Sequence, residues 1–277
     1  MISIHNNSGA MVALQTLGGT TEQLNSVQNS ISTGQEVNTA QDNAALWAIS
    51  ELMNSDISGL RSVSDSLSLG EATVAVASAG AEQITETLSE MRSLAIMASS
   101  GMGDFSTYEA AMASKTEQIN SIVSSSSFNG VNLLKTNVDG NGGTSLTVAS
   151  SLSSAGGVST LSVDGVDFEG SPLFDLGNRT SITDSASALT ALSEIEGFLS
   201  YAIDSSAALG ASANGLAGQN DFNSKLSDSI TQGVSSMIDT SMEEAAAQWR
   251  ALQAQQQLST VALSIANTMP DTLRNLY

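Results

Sequence analysis

The chain has 277 residues, of which 28 are acidic and eight basic, with no cysteine and 4% aromatic content. A formal charge of −20 disfavours nucleic acid and anionic membrane surfaces as partners, because phosphate binding needs clustered Lys and Arg and the eight cations form no patch. Missing cysteine excludes disulfides and thiolate chemistry. The 41% apolar content is mostly Ala, Leu, Val, Ile and Met, which suits narrow helix–helix seams better than a broad globular core.

The first residues, Met1 to Asn7, lack a basic n-region, an unbroken apolar run and a cleavage site, so no classical cleaved signal is expected. No stretch reaches the length of a membrane span. From there Ala10, Leu14, Leu17, Leu24, Val27 and Ile31 form one helical stripe, a first arm over 1–41. Gly34 to Gln41 is a polar break, and Asp42 is the expected N-cap of the second helix.

Residues 42–135 hold the longest pattern. Leu46, Ile49, Met53, Ile57, Leu60, Val63, Leu67, Gly70, Val74, Ala77, Ala81, Ile84, Leu88, Met91 and Ala95 recur in steps of three or four. At 1.5 Å per residue this is a rod of roughly 75 Å, longer than globular helices usually run. Gly101-Met102-Gly103 ends it. A shorter helix comes next, with a capping-box match over Ser106-Thr107-Tyr108-Glu109 and a stripe through Tyr108, Met112, Lys115, Ile119 and Ile122. Phe128-Asn129-Gly130 reads as a turn.

Residues 136–184 change to Gly, Ser, Thr, Asp and Asn. Alternating apolar residues around Asp164-Gly165 predict a hairpin with a two-residue turn there, and Leu146-Thr147-Val148 a further strand. The segment is expected to be a surface-exposed, β-containing insert at the far end of the rods. Helical steps resume over 185–235, through Leu192, Ile195, Leu199, Ala202, Leu209, Leu216, Asn223, Ile230 and Val234. The last arm, 236–277, carries Ile238, Met242, Ala245, Trp249 and Leu252. A phase shift then leads to Leu258, Val261, Ile265, Met269, Leu273 and Leu276, so this helix is expected to bury more than one face. The fold class is mainly α: a long antiparallel, coiled-coil-like bundle with paired terminal helices and a small β-hairpin insert. A lone amphipathic helix is marginal, so the arms imply partners and the chain reads as an assembly protein.

Nothing in the chain composes a catalytic constellation. His5 is the only histidine and lies at an end. Gly140-Asn141-Gly142-Gly143 lacks the Lys-Ser/Thr of a phosphate loop, and Asn137 to Asn141 lacks the Glu of a calcium loop. No enzyme activity, metal or cofactor is expected.

Several strings resemble bacterial flagellin: ISTGQEVNTAQDNAALWAIS at 31–50, FNGVNLL at 128–134, DTSMEEA at 239–245, and ANTMP at 266–270 with the closing Leu273 and Leu276. The resemblance covers 1–135 and 185–277 and leaves 136–183 unconstrained. It implies a self-polymerising subunit of the extracellular flagellar filament, exported unfolded by the flagellar type III apparatus. Its implied partners are itself, an export chaperone, the filament cap and hook-associated proteins, and it allows other flagellins as co-subunits. Paired terminal helices would line the filament core, so the polymerisation residues are Leu14, Leu17, Leu24, Val27 and Ile31 with Leu258, Val261, Ile265, Met269, Leu273 and Leu276. A hook–filament junction protein, with similar arms, is the alternative. The chain departs from the family in placing Gln35 or Glu36, and Gln41, where basic residues are common, and Trp47 where small ones are. Leu88 to Ala95 resembles the segment read by the Toll-like flagellin receptor. Arg92 and Leu94 fit it, whereas Glu90 replaces a basic residue, which implies weak activation.

Overall fold

The structure, a computed structural model, describes residues 7–152 and 157–274, with side-chain surroundings as far as Thr268. Its elements are α1 (Ser8–Thr33), α2 (Ala44–Ser99), α3 (Phe105–Ser125), β1 (Ser145–Leu152), β2 (Val158–Asp164), a 3-10 turn (Leu176–Asn178), α4 (Ser185–Ile238) and α5 (Met242–Arg274). They fall into two compact units, one of Met1–Ser55 with Ser229–Tyr277 and one of Asp56–Asp228.

In the first unit α1 and α5 run antiparallel. Asn7 caps α1 by accepting the Ala10 N–H, and its amide donates to the Ala266 carbonyl at 2.8 Å. At the other end α1 stops at Gly34, whose φ of 75° gives the left-handed turn that favours glycine. There Gln35 bridges Asp239. Thr240 N–H donates to Gly34 O at 2.9 Å, and Glu36 N–H to Ile238 O at 2.7 Å. The helix pair is thus clasped at both ends by backbone carbonyls. The α2 cap is Asn43, which accepts the Ala45 and Leu46 N–H groups, rather than the expected Asp42. The Asp42 carboxylate instead takes the Asn38 and Thr39 N–H groups and the Thr39 hydroxyl, closing the loop before the helix. Those bonds, the Thr39 N–H first, hold its carboxyl below the usual range.

The second unit has a continuous core. Val63, Leu67, Val74, Ala77, Ala81, Ile84, Leu88, Met91 and Ala95 of α2 are all buried, with Met112, Ile119 and Val123 of α3 and Ile195, Ala202, Leu209 and Leu216 of α4. Strict steps of three and four put each set on one stripe, and the stripes meet. The α3 cap is Asp104, which accepts the Ser106 N–H and hydroxyl; the expected capping box at Ser106 does not form. Its Glu109 is drawn away by a side chain 70 residues on, chelating Arg179 at 2.8 and 3.1 Å and taking the Ile182 N–H at 2.8 Å. The expected turn does form at Asn129 and Gly130, which have φ values of 50° and 82°.

The hairpin differs from expectation. β2 pairs antiparallel with β1, matching Val163 to Leu146 and Leu161 to Val148, so Asp164-Gly165 ends a strand instead of turning it. Gly165 serves close packing: a Cβ there would meet Val138 and lie 3.1 Å from the Thr144 carbonyl. The segment is also not carried to the far end of the rods, nor is it wholly surface-exposed. Val138, Val148, Val163, Phe168, Phe174, Leu176 and Ile182 are buried, and hairpin and loop lie along α2. Three glycines of that helix make the track. A Cβ on Gly59 would run into Leu152, one on Gly70 would sit 2.8 Å from Val148, and one on Gly80 2.7 Å from Leu134. A bulge at Ser150 turns its carbonyl to α4, where Gln219 and Asn223 donate to it at 3.0 and 2.9 Å. Phe168, Phe174, Phe198 and Tyr201 meet edge to face or tilted, with ring centroids 4.8–5.9 Å apart.

Candidate assembly surface

The α1–α5 pair is built on one heptad seam. Ala10, Ala13, Leu17, Thr20, Leu24, Val27 and Ile31 are the residues α1 withdraws from solvent along that stripe, stepping three and four. On α5 the matching set is Trp249, Leu252, Gln256, Ser259, Leu263 and Ala266, in the same steps. Most of these side chains are half-buried; among the described side chains of the two helices only Thr20 and Ala245 are buried. Polar groups punctuate the seam. Thr20 returns its hydroxyl to Thr16 O, and Gln256 reaches Thr21.

A second apolar set is not used by the pair. Leu14 is 62% exposed, Leu258 69%, Val261 55% and Ile265 57%, and Met11 and Val12 join them. Leu258 and Ile265 sit one position before the seam residues Ser259 and Ala266, and Val261 two before Leu263, so they line a face adjacent to the seam rather than the seam itself. The expected stripe residues therefore separate into two groups. Leu17, Leu24, Val27 and Ile31 turn toward α5, whereas Leu14, Leu258, Val261 and Ile265 face solvent in the single chain. Met269 and Leu273 lie beyond the described side chains, and Leu276 beyond the described residues. The phase shift after Leu252 has its explanation here: the seam passes to Gln256, Ser259 and Leu263, and the apolar run continues on the neighbouring face. Sequence reading missed Ala13, Thr20, Gln256 and Ser259 because small and polar residues carry little hydrophobic signal; the unbroken three-four step was the signal that would have found them.

Among the described residues no group of three or more His, Asp or Glu is placed to hold a metal ion, and no helix is long and apolar enough to cross a membrane.

Comparison with known proteins decides the family. The bacterial flagellin N-terminal helical region matches residues 4–139 and its C-terminal helical region residues 192–277. A flagellin of Brucella melitensis is 35% identical over 286 residues, spanning 100% of this chain and 99% of its own. Flagellin FljO of Caulobacter vibrioides is 33% identical over 278 residues, spanning 99% and 98%.

The chain belongs to the bacterial flagellin family.

It is a structural subunit of the flagellar filament, and the relatives found do not favour the hook–filament junction alternative. A crystal structure of Bacillus cereus flagellin aligns with 58% of this flagellin and 88% of its own chain, at 21% identity and a TM-score of 0.48. The receptor-like segment of this flagellin lies on α2 in the second unit. Glu90 and Arg92 are exposed, while Leu94 packs against the core. Both charges are engaged within the chain: Lys115 pairs with Glu90, and Arg92 with Glu196 at 3.1 Å.

Proposed function

We propose that this flagellin builds its filament through the apolar faces left open beside the α1–α5 seam. Leu14, Leu258, Val261 and Ile265 carry the contact between subunits, continued by Met269, Leu273 and Leu276, while Leu17, Leu24, Val27 and Ile31 hold each subunit's pair together. The arms 1–41 and 236–277 are the polymerising part, 42–135 and 185–235 the rods, and 136–184 the variable insert. The observation that carries this is the exposure of four large aliphatic side chains on helices already paired; exposed apolar patches of this kind mark interaction sites. Contacts of this type join unlike surfaces and do not close, as an open filament requires.

The subunit acts outside the cell, in the flagellum. It leaves through the flagellar export apparatus with a chaperone, and polymerises beneath the cap on hook-associated proteins; other flagellins are compatible co-subunits. It has no catalytic role. Its receptor-like segment activates weakly, because Glu90 stands in place of a cation and is held by Lys115. A cell reporter assay showing full activation by purified subunit would overturn that last statement.

Ile265→Asp or Leu258→Asp tests the interface. Each places an unpaired charge in the polymer, at a cost of several kcal/mol, yet leaves the free subunit's helical signal unchanged because the side chain is exposed there. Loss of filaments by electron microscopy is expected; filaments of normal length from both variants would refute the assignment.

A further inference from the structure

The chain spells Asn-Gly three times, at 129–130, 141–142 and 214–215. In this pair the backbone nitrogen after the asparagine can approach the side-chain carbonyl carbon with little hindrance, because glycine has no Cβ. All three pairs are exposed, so water reaches them alike. What separates them is the glycine N–H that would have to attack.

At 214–215 that N–H is occupied. The pair lies inside α4, where each N–H donates to the carbonyl four residues back. At 141–142 it is held as well. The Gly142 N–H donates to Asn137 Oδ1 at 2.8 Å. The Asn141 N–H donates to Asp139 Oδ1 at 2.8 Å, and its carboxamide to the Asp139 carbonyl at 3.4 Å. The Asn141 and Gly143 N–H groups hold the Asp139 carboxyl below its ordinary range. An anion beside this peptide opposes a second negative charge on its nitrogen. At 129–130 neither restraint exists. The turn is closed outside the pair, by Phe128 N–H to Val131 O and Val131 N–H to Phe128 O, both at 2.9 Å. Among the described residues neither the Gly130 N–H nor the Asn129 carboxamide has a hydrogen-bond partner. No residue from Gln118 to Leu134 is charged, and the space beside the Gly130 Cα is open.

We infer that Asn129 is a site of spontaneous deamidation in the folded subunit, whereas Asn141 and Asn214 are protected by the hydrogen bonds around them. Hydroxide takes the Gly130 amide proton. The nitrogen bonds to Asn129 Cγ, the Cγ–Nδ2 bond breaks, and Nδ2 leaves as ammonia, giving a succinimide ring. Water then opens the ring. Cleavage of the Cγ–N bond gives aspartate; cleavage at the backbone carbonyl gives isoaspartate, in which the main chain runs through Cβ and Cγ. The net exchange is amide and water for carboxylic acid and ammonia. Isoaspartate lengthens the main chain inside a turn that two hydrogen bonds close. That turn leads into an anchor: Asn132 donates to Val123 O at 2.6 Å, and Leu133 and Leu134 are wholly buried. The modification therefore loosens the packing of the segment that leaves α3.

The test is ageing of the full chain in mildly alkaline buffer, folded and in urea, with each asparagine followed by peptide mapping and mass spectrometry. In the folded chain Asn129 is expected to convert about tenfold faster than Asn141 or Asn214, the rate equivalent of one hydrogen bond that must open first. In urea the three rates are expected to converge, because the pair is the same. Asn137→Ala frees the Gly142 N–H in an exposed loop and is expected to speed conversion of Asn141 while leaving Asn129 unchanged. Subunit carrying isoaspartate at 129, separated by chromatography, is expected to melt below the unmodified chain. Asn141 or Asn214 converting as fast as Asn129 in the folded chain would overturn the inference. The folded ordering persisting in urea would overturn it too, since neighbouring sequence would then be the cause. An unchanged Asn141 rate in Asn137→Ala would overturn the protection by hydrogen bonding, and an isoaspartate fraction that melts like unmodified chain would overturn the loosening.

Discussion

The two units use the same helical steps of three and four and reach opposite degrees of closure. In Asp56–Asp228 the stripes meet, and side chains such as Leu67, Ile84, Leu88 and Leu216 are wholly withdrawn from solvent. In the unit built on α1 and α5 the seam residues stay half-buried, and Leu14, Leu258, Val261 and Ile265 remain open. A pair of helices cannot enclose a layer between them; three elements and a hairpin can. The second unit closes its own core, whereas the first leaves apolar faces open for the neighbours that the proposed assembly would supply.

Substitutions sharpen that contrast. Leu88→Ala, in the closed core, is expected to cost about 3 kcal/mol through lost transfer energy and a cavity, lowering the melting temperature of the free subunit. The aspartate variants of the arms should leave that temperature unchanged. An equal drop from both would erase the distinction between the units.

Next come the charged clamp and its pH dependence. Arg179 is almost enclosed and chelates Glu109, while Glu194 takes the Thr180 N–H and hydroxyl, so α3 and α4 both grip residues 179–182. Burial opposes ionisation of Glu109, but the Arg179 bonds, the Ile182 N–H and the Arg179 charge outweigh it and hold the carboxyl below its ordinary value of 4.5. A depressed folded value means that the contribution is complete above that pH and fades as pH falls through the folded value. Arg179→Met is expected to cost about 2 kcal/mol at neutral pH, by stranding Glu109, and to flatten the acid limb of the stability curve. A variant with unchanged acid sensitivity would show that other carboxylates set that limb.

The smallest effects are read at glycines. Gly80→Ala pushes a methyl into Ser126 and Leu134 and should cost about 1–2 kcal/mol by overpacking. Gly19→Ala meets nothing within 4 Å and should instead stabilise α1 by about 1 kcal/mol, seen as more helical signal by circular dichroism.

Much of the fold is legible in the sequence, and for a physical reason. The α2 run from Leu60 to Ala95 can be read residue by residue, because long stripes average out local noise and every member is buried. The Asn129-Gly130 turn is legible because its positive φ selects those residues. Expectation and structure part where a local signal competes with a distant partner. Asp164-Gly165 has the spelling of a tight turn, but the glycine is there for Val138. Glu109 has the spelling of a cap, but Arg179 claims it. Asp42 loses the α2 cap to its neighbour Asn43 because Asn38 and Thr39 occupy it. At the α1–α5 pair, periodicity finds the two helices but does not tell the seam from the face beside it: Leu14 and Ala13 are adjacent, and the larger one is exposed. The packing of 136–184 onto α2 is not legible at all, since its signature is three glycines whose meaning depends on what lies across from them.

The central claim is that the α1–α5 unit is open in the free subunit and closed by neighbours, while the other unit is closed from the start. Amide hydrogen exchange on free subunit and on filament tests it directly. Strong protection of 60–95 and 195–216 is expected in both forms, with protection of 8–33 and 242–268 rising by orders of magnitude on assembly. Arms as well protected in the free subunit as in the filament, or still unprotected once assembled, would contradict it.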